Sequence, residues 1–396
     1  MINLTEYRNQ RSREISEKFH IDALILSLPE HIHYFSGFFP AGMKILHTTE
    51  SYLVLNPNNG RMGLITSASD VPTILENGYE QNIYPMGSFT FSLPNEDTFS
   101  QKIASILTTR YYKEAEAIAV ALKDLAPGSK TVAVDESRMS ISTWRGLRNE
   151  LGDRVDLVTG TQIINEIKRV KHPWEVEQLR ISTNIAEDAL YSVIAGIRIG
   201  MSESDIEQEY RRKIVDQGCD PYFCIATIDE RAAFSDTENR NWNKVKLGSV
   251  IRFDFGCIFQ NFRSDMARTV VVGSNKKAEA YYRAILEGEE CLLNAIKPGV
   301  LASDLFTIAV SATREAGIPH YQRHHVGHGI GIATYDMPSL SATNHMALEE
   351  NMVLCVETPY YEIGWGGVQV EDTVRVTTQG FESLSKSPRT LVKIDG

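Results

Sequence analysis

Asp254, Asp265, His328, Glu357 and Glu371 each lie inside an apolar or glycine-rich, strand-like segment: IRFDFG, RSDMART, HHVGHGIG, VLCVETP and VQVEDTV. A carboxylate placed in such a segment is buried when the strand packs, and burial is costly unless positive charge neutralises it. No run of Lys or Arg accompanies these segments. The economical partner is a pair of divalent cations held by oxygen ligands and one nitrogen. That chemistry constrains the fold, because five segments between positions 254 and 371 must converge on one place.

At 396 residues the chain exceeds what one hydrophobic core usually organises, so two domains are expected. The first part alternates helical and strand patterns. Glu6 to Phe19 reads as helix, the runs at Asp22, Tyr52, Met62 and Thr131 as strands, and Phe99 to Leu125 as one long helix, together an α/β layer. Near 160–174 the pattern breaks, and His172-Pro173 starts a new helix. The boundary is placed there, with domains at 1–165 and 166–396. In the second part, strands at Cys224 to Ile228, Val250 to Phe259, Met266 to Val272, Met352 to Val356 and Val368 to Val376 alternate with helices at Ala278 to Ile296 and Ala302 to Ala316. The fold class is α/β (α+β).

With 42% hydrophobic and 23% charged residues, this is the composition of an ordinary globular protein. A net charge of −11 without a basic cluster excludes a phosphate-backbone partner, so no nucleic acid is expected. No apolar run reaches the ~18 residues of a membrane helix, and the N-terminus has no export-signal pattern. Five scattered cysteines without CxxC spacing fit free thiols in a reducing cytoplasm.

Asp254 and Asp265 lie on two apolar arms around Gly256 and Gln260-Asn261, a hairpin pattern; Glu357 and Glu371 flank a second turn rich in glycine. Facing positions of paired strands bring carboxylates within reach of metals roughly 3.5–4 Å apart.

The motifs FDFG...SDMARTVVVG, HHVGHGIG, VET and GGVQVEDTVRVT, in this order, closely resemble the metal-site motifs of the pita-bread superfamily of Xaa-Pro dipeptidases, aminopeptidases P, methionine aminopeptidases and creatinase. Ile21-Asp-Ala-Leu-Ile...His33-Tyr-Phe-Ser-Gly-Phe and Ile167-Lys-Arg-Val-Lys-His-Pro-Trp-Glu-Val resemble the prolidase and creatinase branch. The resemblance implies a creatinase-like N-terminal α/β domain followed by a pita-bread catalytic domain. It implies Asp254 and Asp265 on one metal, Asp265 and Glu371 bridging, and His328 with Glu357 on the other. A hydroxide shared by the metals would attack the amide, with Glu357 shuttling a proton. Manganese is the first choice, with cobalt, iron or zinc as alternatives; a homodimer is implied by relatives.

The chain departs from the peptidases at two places. Where they carry a histidine seven residues after the metal histidine, it has Tyr335, followed by Asp336; a tyrosine hydroxyl can still donate to a developing oxyanion. A substrate-side histidine expected before Asp254 is absent, with Asp236 nearest that place. His324 occupies the position of a substrate-facing histidine of the dipeptidase branch, and Arg375 or Arg263 would bind a carboxylate if its strand points it inward. Tyr335, Asp236, His324 and Arg375 are thus the candidate substrate residues, with His324 and Tyr335 beside Glu357 as candidate catalytic groups. His320, His325 and Cys257 read as ordinary loop or core residues. The expected activity is a dinuclear, Xaa-Pro dipeptidase-like hydrolase of a small amide or dipeptide. The alternative is the same scaffold acting on a non-peptide substrate, in the manner of ectoine hydrolases or dimethylsulfoniopropionate-cleaving lyases. Metal-free creatinase-like chemistry and a silent binding protein fit less well, since the acidic set is intact.

Overall fold

The computed structural model describes residues 2–46, 48–80, 82–93 and 97–395. Backbone contacts separate the chain into two compact units, Met1–Ile167 and Lys168–Gly396.

In the first unit, short apolar runs form a six-stranded mixed sheet in the order Ile83–Met86, Met62–Ser67, Tyr52–Leu55, Ala23–Leu26, Thr131–Val134, Asp156–Thr159. The Ala23–Leu26 and Tyr52–Leu55 strands are buried at every position, as continuous apolar runs are when both faces are covered. The Glu114–Leu125 helix buries Ala117, Ile118, Ala121 and Leu122 against Val54, Ile65 and Val132, an apolar stripe at helical spacing. The long helix expected over Phe99–Leu125 is instead two, Thr98–Ile106 and Glu114–Leu125. Between them Tyr111 leaves the helical path to bridge Met86, its N–H donating to the Pro85 carbonyl at 2.9 Å. Sheet-edge hydrogen bonds there replace helical ones. Phe35 and Phe38 are core residues, whereas Phe89 is exposed.

The second unit is built on a ten-stranded sheet. Its main order is Asp336–Ser339, Gly327–Gly329, Val353–Glu357, Glu371–Val376, Met266–Val272, Val250–Phe259, Asp220–Ile228. Helices Lys276–Ala295 and Ala302–Glu315 pack in one apolar cluster with Val271, Leu354, Val356 and Val374. Pro173–Ile194 and Glu203–Asp216 pack in another with Ile251, Phe253 and Val270. Both of the latter helices begin with a capping box, at His172/Glu175 and Ser202/Asp205, which satisfies their first amides. The single strand expected over Val368–Val376 is broken. Gly366–Val368 pairs with Tyr360–Glu362, and only Glu371–Val376 joins the main sheet, so Gln369 falls in the break.

Candidate metal centre

Strand register alone gathers the acidic residues on one face of the second sheet. His328 lies opposite Cys355, Glu357 opposite Glu371, Glu371 opposite Ala267, and Ala267 opposite Asp254. Opposed residues share a face, and so do residues two apart on a strand. Cys355 and Glu357 therefore point the same way, as do Asp265 and Ala267, and all six polar groups project together.

The side-chain distances agree with the register. Gln369 Nε2 lies 3.3 Å from Asp254 Oδ2, 3.5 Å from Glu357 Oε2 and 3.4 Å from Glu371 Oε2. Asp265 Oδ2 is 3.6 Å from His328 Nε2. Ligand atoms of Asp265, His328, Cys355 and Glu371 all fall within 4.8 Å of one another. The His328 Nδ1–H donates to the Gly329 carbonyl at 2.9 Å, which leaves Nε2 as a lone pair aimed at the carboxylates.

These groups fit divalent cations on their own evidence. Burial, reinforced by Asp254 and Glu357, holds Asp265 well above the usual carboxylate range; burial, with Asp265 and Glu357, does the same to Glu371. Burial also pushes Asp254 up to about 6, against the pull of Arg252. Among the described residues, no hydrogen-bond donor reaches the buried Asp265 carboxylate. Four oxygen donors, a neutral imidazole nitrogen and a nearby thiol form a set suited to Mn, Fe, Co or Zn.

No run of Lys or Arg accompanies the acids, but one arginine from the same strand does. Arg252 is fully buried, two residues before Asp254 on the same face, and its Nη1 donates to Asp254 Oδ2 at 3.3 Å and to Gln369 Oε1 at 2.8 Å. Its other nitrogens hold the carbonyls of Ala232, Phe234 and Ser235 at 2.7 to 3.1 Å. Arg323 Nη2 lies 3.5 Å from Glu357 Oε2. The acids outnumber the arginines around them, an imbalance that favours bound cations.

Of the substrate-side candidates, Tyr335 is the best placed. Its ring stacks on His328, with centroids 3.9 Å apart and 26° between planes, while 63% of the residue stays exposed. Burial and the charges of Glu357 and Asp265 push its hydroxyl upward, keeping it a proton donor. Asp236 is exposed on the loop held by Arg252, and its charge helps raise Asp254 and Asp265. His324 is exposed, edge-on to His325 at 4.2 Å. Arg375 is corrected: its guanidinium donates to Asn351 Oδ1 at 2.9 Å and Glu382 at 3.2 Å. It lies four residues along the strand from Glu371, roughly 13 Å away. His325 was read as a loop residue, yet it is buried with Nδ1 3.2 Å from Glu357 Oε1, and burial lowers it to about 4. Arg252, Gln369, Arg323 and Cys355 were also missed; the i, i+2 spacing of Arg252 to Asp254, of Cys355 to Glu357 and of Gln369 to Glu371 could have signalled three of them, and nothing local signals Arg323.

A sheet that converges four acids and a neutral histidine under helices defines a metal-centre hydrolase scaffold. The model of metallopeptidase family M24 matches residues 177–378, and that of the Creatinase/Prolidase N-terminal domain matches residues 8–170. The chain belongs to metallopeptidase family M24, whose membership implies divalent metal ions. It is 30% identical to the putative dipeptidase YkvY of Bacillus subtilis, over 70% of this chain and 77% of that one. It is 26% identical to the Xaa-Pro dipeptidase of Pyrococcus horikoshii, over 96% and 97%. In fold it is similar to an Xaa-Pro dipeptidase from Bacillus anthracis, with a TM-score of 0.81, 22% identity, and 98% and 99% of the chains covered. The N-terminal domain of the FACT complex subunit SPT16 from Cicer arietinum shares the fold at a TM-score of 0.73, with 16% identity and 99% and 100% covered. Activity must accordingly be argued from the site.

Proposed function

We propose that this protein is a metal-dependent hydrolase of Xaa-Pro dipeptides, with Asp254, Asp265, His328, Glu357 and Glu371 holding two divalent ions. The observation that carries the reading is the His328 Nε2 lone pair facing Asp265 Oδ2 at 3.6 Å, amid carboxylates gathered on one sheet face. Bound divalent ions supply Lewis-acid polarisation of a carbonyl and a water acidified toward neutrality. Asp265 and Glu371 would bridge the ions, with Asp254 completing one site and His328 and Glu357 the other. Glu357, flanked by Arg323 and His325, is the group placed to move a proton to the leaving amine. The Tyr335 hydroxyl donates toward the developing oxyanion, and His324 and Asp236 contact the substrate from the rim.

The same reading takes manganese as first choice, with cobalt, iron or zinc accepted, and a homodimer in the cytoplasm. The free state of all five cysteines supports a reducing compartment. It assigns a creatinase-like domain to 1–165 and the catalytic domain to 166–396; the two family matches, over 8–170 and 177–378, change over a few residues later.

A second reading, a non-peptide amide or lyase substrate, is favoured by one feature: Tyr335 and Asp236 stand where the resemblance places substrate-side histidines. Metal-stripped protein reloaded with Mn, Co, Fe or Zn should cleave Xaa-Pro dipeptides and lose activity with chelator. Full metal occupancy without turnover of any dipeptide would overturn the peptidase reading and leave the second.

A further inference from the structure

Asp336 turns away from the metal centre into a buried cationic clamp. Its Oδ1 accepts from Lys168 Nζ at 3.1 Å and its Oδ2 from Lys171 Nζ at 2.9 Å, and all three side chains are at most 3% exposed. Lys171 Nζ also donates to the Lys168 carbonyl at 2.9 Å. The lysine segment is itself tied to the sheet: Val170 bridges Met352, and the Lys171 N–H donates to the Asn351 carbonyl at 2.9 Å, just before the strand carrying Cys355 and Glu357. On the other side, Asp336 pairs with Gly329, the neighbour of His328.

The intervening turn has little room to move. A Cβ on Gly331 would come 2.6 Å from Asp336 Oδ2 and 3.2 Å from Lys171 Cε. The Gly331 carbonyl accepts from the Arg263 N–H at 3.0 Å, and its own N–H donates to Ala333 at 3.0 Å. Immediately before the clamped aspartate, Tyr335 leaves the turn and lies flat on the His328 ring although most of its surface faces solvent. An exposed aromatic keeps one pose only if its backbone is held, and here the holding group is the next residue.

One carboxylate between two ammonium groups also leaves one buried positive charge in excess. A pair serving stability alone needs one lysine, since burying an unmatched charge is unfavourable. The second lysine grips the second carboxylate oxygen and so fixes the plane of Asp336, a constraint that a single contact does not impose.

We infer that Asp336, clamped by Lys168 and Lys171, is a positioning residue that locks the 331–336 turn so that Tyr335 stays seated on His328. The inference deepens the peptidase reading, and its first test needs no substrate.

Lys168→Met and Lys171→Met each leave a one-to-one ion pair, so both variants should fold, whereas Asp336→Asn strands two buried ammonium groups. Hydrogen exchange is measured on the metal-free full chain. Both lysine variants should speed exchange of the 331–336 amides by about tenfold or more while the Pro173–Ile194 helix keeps its protection. Unchanged exchange in the turn overturns the inference, whatever the substrate proves to be. In the manganese-loaded enzyme, Lys171→Met and Tyr335→Ala should each lower kcat by about tenfold, and the double variant no further. Losses that multiply would show the lysines acting independently of Tyr335, and would sink the proposal even if dipeptides are cleaved.

Discussion

His328 Nε2 and Asp265 Oδ2 face each other at 3.6 Å as two electron-pair donors, because the imidazole proton is committed to the Gly329 carbonyl on the far nitrogen. Two acceptors at this distance repel unless a proton or a cation lies between them. The relationship favours either a shared proton or a bound cation between them, and only the cation serves both groups when the carboxylate is ionised.

Metal should therefore stabilise the fold strongly. At free metal about 1,000 times Kd the gain is ~4 kcal/mol, so chelation should lower Tm by several degrees. Asp265→Asn should reverse the order: more stable than wild type without metal, less stable with it, with bound metal lost by elemental analysis. Retained metal stoichiometry in the variant would remove Asp265 from the ligand set.

The pH dependence of the metal-free protein follows from the same carboxylates. Asp254, Asp265 and Glu371 have folded pKa values raised above their unfolded values, Asp254 to about 6. A raised value contributes stability that is present below the unfolded pKa and lost as pH rises through the folded one. Metal-free protein should thus be more stable near pH 5.5 than near pH 8, read by urea titration at each pH. The opposite slope would mean the acids are compensated without metal.

Arg252 serves two tasks at once, holding Asp254 and Gln369 on one side and the carbonyls of residues 232, 234 and 235 on the other. Arg252→Met removes a buried charge from beside a carboxylate and strands three acceptors. A loss of about 3–5 kcal/mol is expected in the metal-loaded protein, measured by chemical denaturation. A loss below about 1 kcal/mol would show that Arg252 is not integral to the centre.

Behind the same sheet, Glu289 is fully buried and neither carboxyl oxygen has a hydrogen-bond partner. Burial, with Asp372 adding to it, raises its carboxyl well above the usual range despite Arg268 and Arg389. Its contribution is present at low pH and lost as pH rises. Glu289→Gln should match wild type at pH 5 and exceed it in Tm at pH 9; equal curves across that range would refute the buried acid.

Gly288 sits at the crossing of Lys276–Ala295 with Ala302–Glu315, where a Cβ would come 2.0 Å from Thr313 Oγ1 and 2.9 Å from the Ala309 carbonyl. Gly288→Ala should destabilise by about 1–3 kcal/mol through overpacking despite its better helix propensity. A gain in Tm would show that the helices separate freely.

The acidic quartet and its histidine were legible in the chain because a charged residue inside an apolar strand contradicts the local pattern and demands a reason. Local periodicity likewise marked the strands Val250–Phe259 and Met266–Val272 with the bounds found. It joined Thr98–Ile106 to Glu114–Leu125, since nothing local announces that Tyr111 will pair with Met86.

What the tertiary structure alone decided is which charges meet. Arg252 reaches Gln369 across 117 positions and Lys168 reaches Asp336 across 168, and no spacing rule links such residues. Arg375 shares a strand with Glu371 but spends its guanidinium on Asn351 and Glu382, because distance along a strand grows by about 3.3 Å per residue while its face repeats every second one. A chain declares its unusual residues through composition and period; their partners depend on register and on loops closed through space.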